Sequence, residues 1–101
     1  MSQYDTHSLH DFLFHTPESG LRKMLIDRKR MTDVHANLLF KVVKGSTPDQ
    51  FGEHFDKKTF PKMRLSPNED KLKEKFWDDV VAVLLERGIL QPAGGAQKQA
   101  A

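Results

Sequence analysis

The chain of 101 residues contains no cysteine. That absence excludes a disulfide scaffold, a thiolate nucleophile and any zinc site built on sulfur. Long apolar runs are missing too. The longest, Val80 to Leu85, falls far short of the roughly 20 residues that cross a bilayer. The N-terminus, Met1-Ser2-Gln3-Tyr4-Asp5, lacks the basic stretch and apolar run of a signal peptide. These absences read as an intracellular, cytoplasmic protein without membrane contact. No glycine-rich phosphate loop is present, because Gly94-Gly95 has neither a strand nor a helix beside it. Ser, His and Asp all occur, but no spacing resembles a nucleophile elbow. Asp78 and Asp79 are adjacent, so on a helix they point in different directions; Asp70, Glu74 and Asp78 form a solvated acidic stripe instead. A small helical domain also offers little pocket volume. The expectation is therefore no catalytic residues, no cofactor and no enzyme activity.

What the sequence does contain is helix grammar. A hydroxyl residue followed by proline occurs at Thr16-Pro17, Thr47-Pro48 and Ser66-Pro67. The hydroxyl caps a free backbone N–H, and proline suits the first helical position, where its missing N–H costs nothing. Gln50 and Glu69 complete two capping boxes, and Thr32-Asp33 reads as a further cap. Helix capping accounts for all three hydroxyl–proline pairs without invoking phosphorylation.

Apolar spacing fills in the elements. Thr6 to His15 places Leu9, Phe12 and Leu13 on one side of a short helix. Pro17 to about Arg30 carries a narrow stripe of Leu21, Met24 and Leu25. Behind Thr32, residues Val34, Leu38, Leu39, Val42 and Val43 keep helical spacing and Gly45 closes the segment. The run Leu38–Val43 also suits a buried strand; cap, period and terminal glycine favour helix. Pro48 opens a helix with Phe51 and Phe55 on one face. Residues 59–65 alternate apolar and basic side chains and read as extended, with Phe60, Met63 and Leu65 on the core. Ser66-Pro67 opens the longest helix, to about Arg87, with Leu72, Phe76, Val80, Val83 and Leu84 in one stripe and Trp77, Val81 and Leu85 in a second. Gly88-Ile89 is a glycine C-cap pattern. The fold class is all-α: one compact bundle of about five helices over residues 1–90, the longest helix C-terminal, with a disordered tail over 91–101.

Charge distribution points toward function. Residues 22–30 hold five basic residues and one acid; residues 57–64 hold four basic residues and no acid. If the fold joins Arg22, Lys23, Arg28, Lys29 and Arg30 with Lys57, Lys58, Lys62 and Arg64, they form a continuous surface for nucleic-acid phosphates, DNA or RNA. Gly45-Ser46-Thr47 between two helices has a helix-turn-helix spacing, with Asp49, Gln50, Glu53 and His54 toward the groove; the three acids Asp49, Glu53 and Asp56 fit it poorly. The rival reading is an adaptor or inhibitor that docks on a partner protein, with Tyr4, Phe14, Phe40 and Phe60 as candidate surface anchors. His7 and His10 share a helix face, but no second ligand pair completes a zinc site, so no metal is expected.

Overall fold

The protein, described at residues 4–27 and 29–91 by a computed structural model, forms helices α1 (Thr6–His15), α2 (Glu18–Leu25), α3 (Asp33–Lys44), α4 (Pro48–Lys57), α5 (Pro67–Leu72) and α6 (Phe76–Glu86). Among the described residues there is no β-strand, and no helix is long and apolar enough to cross a membrane. Arg28 and the expected tail beyond Gln91 lie outside the described residues.

The caps explain most helix starts. Thr47 and Ser66 each accept an N–H from the third helical residue, while Gln50 and Glu69 bond back to the cap N–H. Thr32 does the same for α3, with the imidazole of His35 replacing the usual carboxyl. Thr16 departs from expectation. Its Oγ1 donates to the Phe12 carbonyl at 2.5 Å and closes α1 rather than opening α2. The N-cap of α2 is Pro17, which has no capping side chain.

Two further expectations are corrected. First, α2 stops at Leu25 rather than near Arg30. The Asp27 carboxylate accepts N–H bonds from Lys29, Arg30 and Met31 at 2.9, 2.6 and 3.0 Å, a local alternative to helical bonding. Those backbone donors hold the Asp27 carboxyl down at about 2. The resulting turn delivers Met31 into the core, fully buried.

Second, there are six helices among the described residues, and the long C-terminal helix is two. The Lys73 and Lys75 N–H groups donate to the Asp70 and Leu72 carbonyls, each three residues back, so the α-ladder tightens and stops before it restarts at α6. The longest element is α3, at 12 residues against 11 for α6. The break lets α5 face α3 through Glu69, while α6 buries Phe76, Trp77, Val80, Val83 and Leu84. It also divides the acidic stripe: Asp70 lies on α5, Glu74 in the break and Asp78 on α6.

One core unites the elements. Its centre is Trp77, whose ring meets Phe51, Phe55, Phe60 and Phe76 at centroid distances of 5.0–6.1 Å. The indole N–H donates to the Thr59 carbonyl at 2.9 Å, which anchors the extended segment. As expected, Phe60, Met63 and Leu65 pack on the core from that segment. On α1, Leu9, His10 and Leu13 face inward and Phe12 stays outside, 40% exposed, contrary to its expected place on the apolar side. Of the candidate surface aromatics, Tyr4, Phe40 and Phe60 are half-buried against the core and Phe14 is exposed.

α4 packs chiefly on α1, and Gly52 sets how closely the two approach. A β-carbon there would sit 2.7 Å from Thr6 Oγ1. Overpacking of this kind costs about 1–3 kcal/mol, against ~1 kcal/mol gained when alanine replaces a helical glycine. Gly52→Ala is therefore expected to lower the urea midpoint. Adding Thr6→Ala removes the clashing hydroxyl and should return stability to or above the starting value, a coupling that a double-mutant cycle reads directly.

Candidate functional site

Two of the five basic residues of the first segment, Arg22 and Arg30, are occupied with holding the fold. Arg22 donates to Glu18 at 2.7 Å, to Asp33 at 3.0 Å and to Asn37, tying α2 to α3. The Glu18 bond, then Asp33, raises its already high pKa. Arg30 bonds Glu86 and clips the interhelical turn to the end of α6. Lys23 and Lys29 are exposed, with no acid at ion-pair distance among the described residues.

In the second segment, Lys57 meets Glu53 at 3.7 Å and Lys58 meets Asp78 at 2.6 Å. Lys62 and Arg64 are exposed and have no acidic partner among the described residues. The two segments are anchored at opposite helix ends. Arg22 reaches Asp33 at the start of α3, whereas the Arg64 carbonyl accepts from Lys41 near its end. Arg30 reaches Glu86 at the end of α6, whereas Lys58 reaches Asp78 near its start. Eight positions separate the anchors on each helix, about 12 Å at 1.5 Å per residue.

The second segment builds a concave site. Phe60, Met63 and Leu65, all half-buried, floor a groove of about 680 Å³. Lys58, Lys62 and Lys73, all exposed, stand around it, and Glu74 is the acid that faces them. Phe60 rests on Trp77 in a stacked arrangement at 5.8 Å, and Lys73 Nζ lies 5.8 Å from the Phe60 ring centre. Below, Lys41 bonds both the Arg64 carbonyl at 3.2 Å and the buried Glu69 carboxylate at 2.6 Å. Burial works to raise the Glu69 pKa, but Lys41 and the Ser66 N–H outweigh it and hold the group ionised below its usual range.

The backbone at the groove is itself unusual. Lys58 ends α4 in the left-handed conformation, φ 57°. Helices commonly place glycine there, because a β-carbon costs roughly 1–2 kcal/mol. The same chain ends α6 with Gly88 at φ 71°. At α4 it keeps a lysine on the edge of the groove.

Lys73 was not among the sequence-derived binding residues, and Phe60 entered only as a candidate anchor for a partner protein. Lys73 reads as one charge of a continuous acidic helix. Only the break after Leu72 swings it over Phe60, and nothing at position 73 itself announces that. On α4, Phe51, Gly52 and Phe55 are buried and Asp49, Glu53 and Asp56 are exposed, so the outer face of this helix carries three acids.

The histidines are engaged elsewhere. His7 meets Asp49 at 2.8 Å, while buried His10 donates through Nε2 to the Val43 and Ser46 carbonyls. His35 accepts the Thr32 N–H on Nδ1, so its Nε2 carries the proton and donates to Asp79 at 2.9 Å. Hydroxyl, imidazole and carboxylate thus stand in line, but the Nδ1 lone pair is committed to a backbone N–H and the ring is 3% exposed. This is a strut from α3 to α6. No group of metal-ligating side chains converges among the described residues.

Comparison with protein-family models, with curated proteins and with solved structures found no match.

Proposed function

We propose that this protein is a small non-enzymatic nucleic-acid-binding protein that neutralises phosphates at the groove edged by Lys58, Lys62 and Lys73. The observation that carries the reading is the concentration of lysines around a concave surface: Lys62 has no acid at ion-pair distance among the described residues, Lys73 meets Asp70 at 3.9 Å and Lys58 meets Asp78 at 2.6 Å. Lys58, a lysine rather than a glycine at a left-handed helix end, stands on the edge of the same groove and fits this reading. Arg22 and Arg30, bound to α3 and α6, contribute little; Lys23 and Lys29 supply a weaker second contact region.

Fluorescence anisotropy with mixed-sequence DNA and RNA at two salt concentrations tests this. Three lysines on a single strand give a log–log salt slope of roughly −2, at ~0.7 per phosphate. Charge reversal by Lys62→Glu with Lys73→Glu should abolish binding without changing the helical circular dichroism. Undetectable binding at low salt sinks the proposal.

One observation favours a second reading, docking on a partner protein. Beside the Lys58–Asp78 ion pair, which forms part of its wall with Asp56, lies a groove of about 670 Å³ whose apolar side is Tyr4, Phe55, Val81 and Leu85, with Leu85 46% exposed. Binding to a protein partner with no nucleic-acid affinity would select that reading.

A further inference from the structure

We infer that the lysine-edged groove takes an unpaired base, so that the nucleic acid it holds is single-stranded. The inference rests on the nucleic-acid reading above and adds which form of nucleic acid is bound.

The argument starts from the division of the groove into two chemistries. Its charges stand on exposed side chains, while Phe60, Met63 and Leu65 form a half-buried apolar bed. A duplex presents phosphates outside and hides its bases in the stack. It would satisfy the lysines and leave the bed facing water. A single strand offers both parts at once, phosphates for the lysines and a free aromatic face for the bed. The groove is a shallow, open depression, so a flat ring can lie on its apolar bed while the attached phosphates stay in solvent beside the lysines.

Phe60 is also preorganised for stacking. One side of its ring is held by Trp77 at 5.8 Å and 29°, and Phe76 braces it at 5.6 Å. Trp77 in turn is fixed by its bond to the Thr59 carbonyl. A base entering the groove would extend an aromatic pile whose rings are already held. Lys73 Nζ, exposed and over the Phe60 ring at 5.8 Å from its centre, would swing off that face to meet the phosphate next to a stacked base. No helix enters a duplex groove in this arrangement, since the binding segment, residues 59–65, contains none.

The test uses the full chain with a short oligodeoxyuridine, a duplex of equal length and inorganic polyphosphate. The expected order is tighter binding of the single strand than of the duplex by tenfold or more, with polyphosphate weakest. Phe60→Leu keeps an apolar side chain under the groove and should lower single-strand affinity roughly tenfold, the typical effect of losing one stacked base, while duplex affinity stays unchanged. Because Phe60 also packs on Trp77, a second measurement is independent of that variant: ultraviolet crosslinking of unaltered protein to a 5-iodouracil oligonucleotide. The adduct should map to Phe60 or Met63. Equal affinity for single strand and duplex, or adducts confined to other segments, overturns the single-strand inference and leaves phosphate binding standing. Absence of binding to every polyanion overturns both.

Discussion

Replacing Trp77 by alanine is expected to remove about 3–5 kcal/mol of stability, the usual range for a large aromatic lost from a packed core. That is a large share of the 5–15 kcal/mol that holds a typical domain together. The reason is position. Trp77 is 2% exposed, touches four phenylalanine rings drawn from α4, α6 and the extended segment, and supplies the N–H that satisfies the Thr59 carbonyl. Alanine leaves a cavity and an unpaired carbonyl together. Urea titration followed by far-ultraviolet circular dichroism reads the effect without depending on tryptophan emission. Trp77→Phe should be much milder, because most of the ring packing survives and chiefly the hydrogen bond, about 1 kcal/mol, is lost. If alanine and phenylalanine variants unfold at the same midpoint, the ring cluster is not the centre of the core.

His35→Ala is the second large effect, about 2–4 kcal/mol. His35 is 2% exposed and bonded at both ring nitrogens, so its removal opens a cavity and orphans the Thr32 N–H as well as the Asp79 carboxylate. The capping box of α3 fails at the same stroke. Asp79→Asn should cost less, roughly 1 kcal/mol, because an amide oxygen can still accept from Nε2. A thermal melt of the two single variants and the double variant checks this. Strict additivity would mean that the imidazole and the carboxylate act separately, against the 2.9 Å contact.

The helical architecture was legible because its signals are local. Thr32, Thr47 and Ser66 act within three residues of themselves, and α1, α3 and α4 begin and end close to where caps and spacing put them. The misses have a common cause, a side chain whose best partner sits in the adjacent backbone or in a distant element. Asp27 gathers three N–H groups and ends α2 early, and Thr16 turns back to Phe12. The groove followed the same rule. Its lysines at 58 and 62 were visible as charge, but the contributions of Phe60 and Lys73 depend on the α5–α6 break, a tertiary event. Neutralisation of Arg22 by Glu18 was within reach, since the two stand four apart on one helix; Arg30 with Glu86, fifty-six positions apart, was not.

The Asp5 N–H donates to the Gln91 carbonyl at 2.9 Å, so the first and last parts of the described chain meet. A covalent ring is then close to strain-free: a brief flexible linker joining those two places demands little rearrangement. A cyclised molecule should withstand exopeptidases and melt higher, since fewer unfolded conformations remain open to it.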